Sequence, residues 1–231
     1  MVLLHGWCLD RTVWMYQELA LVSSGHEVIV PDLAGFGASR DLTAHGELSG
    51  HGQDVADLVE ELGLSDVIIV GFAFGAAVAL AMPDHGRVAG IVAIGTPSAA
   101  GAPYDRMRSS MLRDWPRFAG RSATAICAQP QSEESLAWLA RIFATTPLHS
   151  AVSGVDILAR YEPLDRPSGL PVPSLFVHGA DDPIVSPDVS RACAERFGGK
   201  VEIVPDSGHF VPWDQAAAVT EAIEAFERSL A

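Results

Sequence analysis

Apolar and polar positions along the chain follow two rhythms. Short, nearly continuous apolar runs rich in Val and Ile occur at Val2–Leu4, Glu27–Val30, Val67–Val70, Val88–Ile94, Ser174–Val177 and Val201–Val204. Runs of that length and β-branched content read as strands buried on both faces. Between them, Arg11–Ser23, Leu48–Leu62, Phe74–Met82, Pro187–Phe197 and Gln215–Ser229 carry apolar residues at helical spacing. Strands and helices in alternation predict an α/β fold, a mostly parallel sheet flanked by helices. The alternation stops between about Ala100 and Pro171, a stretch with helical spacing and no convincing strand. We therefore expect a core of residues 1–99 and 172–231, with residues 100–171 inserted as a helical cap. The cap would lie over the carboxyl edge of the sheet, where open α/β sheets bind ligands.

Composition narrows this picture. The chain has 231 residues, 48% of them hydrophobic, enough for one well-buried core and incompatible with disorder. Its longest apolar stretch, Val67–Met82, is interrupted by Gly71 and Gly75 and closed by Pro83, so no transmembrane helix is expected. Met1 leads into Val-Leu-Leu-His-Gly without a basic, cleavable leader. Three widely spaced cysteines, Cys8, Cys127 and Cys193, suit a reduced compartment better than a disulfide framework. A cytoplasmic monomer without membrane association is expected. The net charge of −14 argues against nucleic acid as a ligand. Against that acidic background, Arg106, Arg108, Arg113, Arg117 and Arg121 cluster with only Asp105 and Asp114 among them. Such a cluster is either a solvated helix face or a contact for an acidic partner. No metal-ligand spacing, phosphate loop or dinucleotide fingerprint is present, and Gly35-Phe-Gly37 alone is too weak to argue one. Neither a metal nor a cofactor is expected.

The chemistry concentrates in three places. Val67-Ile-Ile-Val-Gly71-Phe-Ala73-Phe-Gly75 is a strand running into a Gly-x-x-x-Gly turn, followed at once by a helix-forming run. In a nucleophile elbow the middle residue of that turn is normally Ser, and here it is Ala73. Further on, Phe176-Val-His-Gly179-Ala-Asp181-Asp182 brings a carboxylate to a strand end, and Asp206-Ser-Gly208-His209 brings a histidine to the loop after the last strand. Elbow, carboxylate, histidine is the chain order of a hydrolase triad. In that scheme Asp182 fixes the tautomer of His209, and His209 moves the proton of the nucleophile. Asp181 is the rival carboxylate. Two backbone amides would hold a developing oxyanion, those of Phe74 and of Trp7 in His5-Gly6-Trp7. Residues with plainer expectations surround these. His5 shapes the oxyanion loop, His178 is structural at its strand end, and Asp32 ties down the loop after the second strand. Trp7, Trp115, Trp138 and Phe143 line core or tunnel. Cys8 lacks the strained turn that would expose a thiol nucleophile.

These residues resemble the α/β-hydrolase superfamily from about Val2 to Phe226. Within it, Leu3-Leu-His-Gly-Trp7 with Trp14, then Pro31-Asp-Leu-Ala-Gly-Phe-Gly-Ala-Ser39 and Gly154-Val-Asp-Ile-Leu158, are most similar to the pimeloyl-[acyl-carrier protein] methyl ester esterases of biotin synthesis. The resemblance implies a serine carboxylesterase that hydrolyses a methyl ester on a pimeloyl chain tethered to acyl carrier protein, releasing methanol. It also implies that the five arginines meet the acidic carrier protein. The chain departs from that pattern twice. The family usually has a β-hairpin ahead of the first strand, and Ala73 has no hydroxyl. Loss of the nucleophile in such a triad costs roughly a millionfold in turnover. Three readings of Ala73 stand side by side: a serine-to-alanine change that traps substrate, a natural pseudoenzyme that binds an acyl ligand, and simple packing in a turn without a catalytic role. A different α/β-hydrolase specificity, for a small free ester or a lactone, is the alternative for the substrate.

Overall fold

The computed structural model describes residues 1–83, 86–100, 103–166 and 168–230. Five parallel strands form one sheet in the order β1 (Val2–Leu4), β2 (Val67–Phe72), β3 (Val88–Ile94), β4 (Ser174–Gly179), β5 (Lys200–Val204). Every residue of β1, β2 and β4 is buried, as a sheet covered on both faces requires. The covering helices are α1 (Met15–Ser23), α2 (Leu48–Glu61), α3 (Phe74–Ala81), α8 (Asp188–Phe197) and α10 (Ala216–Arg228). α1 packs on α10 and α2 on α3, while α8 lies against β4 and β5. The α/β architecture is the one the apolar pattern predicts.

One expected strand is largely absent. Of Glu27–Val30 only Ile29 pairs, in a single parallel bridge to Val2 closed by Leu3 N–H to Ile29 O and Ile29 N–H to Met1 O, both 2.9 Å. Pro31 follows directly, and a residue without an amide cannot extend such a ladder. The segment therefore runs along the β1 edge without becoming a full strand.

Between β3 and β4 the described residues form α4 (Tyr104–Arg113), α5 (Trp115–Ala125), α6 (Glu133–Thr145) and α7 (Leu148–Leu158). Asp114 breaks α4 from α5 and caps the latter, its Oδ1 accepting the Arg117 amide at 3.1 Å. The expected start of this insertion, near Ala100, adjoins residues 101 and 102, which lie outside the described residues, as does residue 167 near its end.

The ladder continues past the strand ends and fixes the carboxyl edge. Ala73 N–H donates to Ile94 O and Gly95 N–H to Val177 O, both at 2.8 Å; Ala180 N–H donates to Val204 O at 2.8 Å and Asp181 N–H to Ser207 O at 2.9 Å. The loops after β2, β3, β4 and β5 are thereby locked side by side, and they carry the candidate residues.

Candidate active site

Ala73 sits between β2 and α3 with φ 48° and ψ −108°, a backbone conformation that L-residues seldom adopt. Holding a non-glycine residue there costs on the order of 1–3 kcal/mol. The two glycines around it are required by close approach: a Cβ on Gly71 would overlap the Gly75 carbonyl, and one on Gly75 would overlap the Leu4 carbonyl. The turn is thus wedged between its own helix and β1. Phe74, buried completely, opens α3, so its amide has no carbonyl four residues back within the helix.

His209, on the loop after β5, donates Nδ1–H to Asp182 Oδ2 at 2.7 Å, which leaves Nε2 as the ring nitrogen available to the cavity it shares with Ala73. The Asp182 side chain is fully buried, and its Oδ1 accepts the amides of Ile184 at 2.7 Å and Val185 at 3.0 Å. Burial pushes the Asp182 carboxyl up. The charge of His209 and hydrogen bonds from His178, His209 and the Val185 amide outweigh it and hold the group well below the usual carboxylate range. Asp181, by contrast, is exposed and is held through its backbone amide. Asp182 is the carboxylate that the fold brings to His209. Asp214, at the end of the short helix α9 (Val211–Asp214), supports this loop. Its Oδ2 accepts the amides of Gly208 at 2.8 Å and of Ala128 at 3.0 Å. Sequence reading gave no signal for Asp214, because its partners lie on loops that only the fold brings together.

A cavity of about 780 Å³ opens over Ala73, Phe74, Trp7 and His209. Phe118, Phe143, Met107 and Leu158 contribute apolar wall, and the exposed Arg113, Arg117 and Arg121 also line it. Trp7 is pinned by its indole Nε1–H to Ala151 O at 2.9 Å and packs edge-on to Phe118 and Phe143. The structure divides the arginine cluster. Arg108 is engaged by Asp156 of α7 at 3.0 Å, and neither it nor the exposed Arg106 lines the cavity. The tryptophans divide too: Trp115 stacks on Phe118, a cavity wall, and Trp138 stacks on Trp213, apart from it.

The neighbouring groups have defined structural bonds. His5 Nδ1 donates to Gly6 O at 2.8 Å and its Nε2 accepts the Leu33 amide at 3.0 Å, so the ring clasps the loop that carries Trp7. Asp32 accepts the Arg11 amide at 2.7 Å and the Ala38 amide at 2.8 Å. Cys8 is fully buried, and burial pushes its thiol well up, against an opposing hydrogen bond from Thr146. His178 is the one sequence reading understated: its Nε2 lies 3.0 Å from Asp182 Oδ2. Among the described residues, no group of three or more His, Cys, Asp or Glu is placed to hold a metal ion. Among the same residues, no helix is long and apolar enough to cross a membrane.

Comparison with known proteins agrees with this fold. The alpha/beta hydrolase family model matches residues 1–222. A non-heme haloperoxidase of Rhodococcus erythropolis is 28% identical over 204 residues, 78% of this chain and 74% of that protein. A pimeloyl-[acyl-carrier protein] methyl ester esterase of Pectobacterium carotovorum is 26% identical over 249 residues, covering 99% of this chain and 94% of the relative. The crystal structure of a bromoperoxidase from Bacillus anthracis superposes with a TM-score of 0.92 at 23% identity, over 98% of this chain and 91% of that one. That likeness speaks to the fold.

Proposed function

Since the chain belongs to the alpha/beta hydrolase family, we propose that its site is that of a Ser-His-Asp carboxylic ester hydrolase whose nucleophile position is held by Ala73. The observation that carries the reading is His209, paired with the buried Asp182 at 2.7 Å, sharing one cavity with a strained, positive-φ Ala73. With serine at 73, His209 Nε2 would take the hydroxyl proton as Oγ attacks an ester carbonyl. The Phe74 and Trp7 amides would hold the oxyanion, and Asp182 would stabilise the imidazolium. The alcohol leaves with the proton from His209, and water activated by the same nitrogen cleaves the acyl-enzyme. As the chain stands, no Oγ is available, so it binds ester and turns it over scarcely at all.

The substrate we propose is an acyl methyl ester carried on acyl carrier protein, the pimeloyl ester by similarity to the relatives of that activity. In support, the cavity joins apolar wall to three arginines, Arg113, Arg117 and Arg121, on an otherwise acidic chain. Residues 100–171 act in this reading as the cap that presents them. A second reading, a small free ester or lactone, draws support from Arg106 and Arg108 lying outside the cavity. A natural acyl-binding protein is the non-catalytic variant of both.

The test is methyl-ester hydrolysis on a pimeloyl carrier-protein substrate by the chain as given and by Ala73→Ser. A rise of several orders of magnitude in the serine form supports the triad. Activity of the serine form only on short free esters retains the machinery and rejects the carrier substrate. Inertness of both forms on every ester rejects the hydrolase reading.

A further inference from the structure

His178 is the penultimate residue of β4, and its side chain is entirely buried. Its Nδ1 lies 2.7 Å from Ser190 Oγ, and its Nε2 lies 3.0 Å from Asp182 Oδ2 and 3.1 Å from Val185 O. A backbone carbonyl and an ionised carboxylate can only accept, so Nε2 carries the hydrogen, and in the neutral ring Nδ1 accepts the Ser190 hydroxyl. The same Oδ2 takes His209 Nδ1–H at 2.7 Å, while Oδ1 takes the Ile184 and Val185 amides. One carboxylate thus holds four donors, and two of them are imidazoles on a single oxygen.

We propose that His178 is a positioning residue for His209: by donating to the oxygen that His209 uses, it fixes that oxygen and draws off part of its negative charge. His178 then sets how strongly Asp182 favours the protonated form of His209, and Ser190 holds the tautomer that makes this possible. The functional weight of the proposal rests on the reading of His209 as the base. The direction follows from electrostatics. A donor removed from Oδ2 leaves more negative charge facing His209, so the imidazolium is better stabilised and accepts its proton at higher pH. The Asp182 carboxyl, held low in part by the His178 hydrogen bond, would rise at the same time. Other ionisable groups stand near His209. Asp214 accepts the Gly208 amide, the Cys127 backbone lies against Gly208, and Asp114, Arg113, Arg117 and Arg121 line the same cavity. None is altered in the test.

The test is a pH titration of the His209 ring resonances by NMR in the chain as given, in His178→Met and in His178→Gln. Met removes the donor, whereas a Gln amide reaches the place of Nε2 and restores it. The titration midpoint of His209 is expected to move up by about one pH unit in His178→Met, roughly a tenfold change in proton affinity, and to return most of the way in His178→Gln. An unmoved midpoint in His178→Met, or equal displacement in both variants, overturns the proposal, since a purely structural role would lower stability without that pattern. A measurement on the unsubstituted chain guards against misfolded variants. The ¹⁵N shifts of His178 are expected to show hydrogen on Nε2 and a bare Nδ1, and the opposite tautomer or rapid exchange between the two overturns it. These readouts need no turnover. If Ala73→Ser is inert on all esters while the titration behaves as expected, the hydrolase reading fails and the coupling stands.

Discussion

Ala73→Gly should make this protein more stable, against the usual direction of an alanine-to-glycine change. Glycine normally destabilises by about 0.4–1 kcal/mol because the unfolded chain gains freedom. At φ 48° and ψ −108° the native backbone of residue 73 lies where a Cβ is penalised by about 1–3 kcal/mol. The Cβ itself is small and faces a cavity, so little packing is lost with it. The balance is a gain of about 1 kcal/mol, equivalent to a rise in Tm of roughly 2–4 °C for a domain of this size. Equilibrium urea denaturation of both forms measures it directly, with an unchanged m-value confirming that only stability has moved. Equal or lower stability of the glycine form would show that the turn relaxes in solution. The argument that the chain keeps a strained elbow would then collapse.

Other outcomes follow from particular contacts. His51 is buried against Phe74 with Nδ1 unpartnered, and burial, helped by His45, lowers its pKa from 6.5 to about 4. Between those pH values the unfolded chain binds a proton that the folded chain refuses, so stability should fall by about 3 kcal/mol as pH drops from 6.5 to 4. In His51→Phe most of that slope in denaturation midpoints should vanish, and an undiminished slope would assign it elsewhere. Reversing Arg113, Arg117 and Arg121 to Glu in the Ala73→Ser background should lower kcat/KM on a carrier-bound ester by about 10–100-fold and leave a short free ester nearly unaffected. Equal loss on both substrates counts against a carrier contact. Cys8, buried and with its thiol pushed up, should resist iodoacetamide in the native protein, as mass spectrometry of the alkylated chain would show, and rapid labelling there would contradict its burial.

Which parts of this molecule are legible in the sequence depends on how local the determining contacts are. β1 and β3 are read with their bounds because each is a continuous run without a polar residue, Val-Leu-Leu and Val-Ala-Gly-Ile-Val-Ala-Ile, as a buried strand requires. Glu27–Val30 is three-quarters Val and Ile, yet only Ile29 pairs, because Pro31 and a place at the sheet edge limit it more than β-propensity extends it. The elbow is legible as a contiguous strand, turn and helix, with Gly71 answering the Gly75 carbonyl close by in sequence, whereas Gly75 answers the Leu4 carbonyl that only the fold brings against it. The pairing of His209 with Asp182 is legible as an order of motifs, although its geometry depends on the locked loop ladder at the carboxyl edge. The role of His178 is not legible. A histidine before a glycine at a strand end gives no hint that Ser190 and Val185 will close around it. The arginines are legible as a cluster, but Asp156, 48 residues beyond Arg108, decides that this one is engaged outside the cavity.

The arrangement around Asp182 bears on the three readings of Ala73. A fully buried carboxylate is an unfavourable choice for a core unless donors surround it, and here two buried histidines and two amides are committed to that task. A turn that merely packs could relax to an ordinary φ, and the carboxylate with both histidines could give way to apolar residues at no loss of stability. Instead, the strained residue 73 shares a cavity with His209, and a buried charge at position 182 stands 2.7 Å behind that ring, the combination suited to stabilising charge that develops during acyl transfer. This weighs against simple packing. A trapped esterase and a natural acyl-binding protein make the same static demands on the cavity, but they differ in what the oxyanion amides and His209 do once a hydroxyl is supplied. Restoring serine at 73 is therefore the perturbation that separates them. An esterase needs only that oxygen, whereas a binding protein released from selection for turnover would have let the Phe74 and Trp7 amides or the His209 ring drift from the attack geometry. Loss of about 1 Å in such alignment is enough to cost a hundredfold in rate.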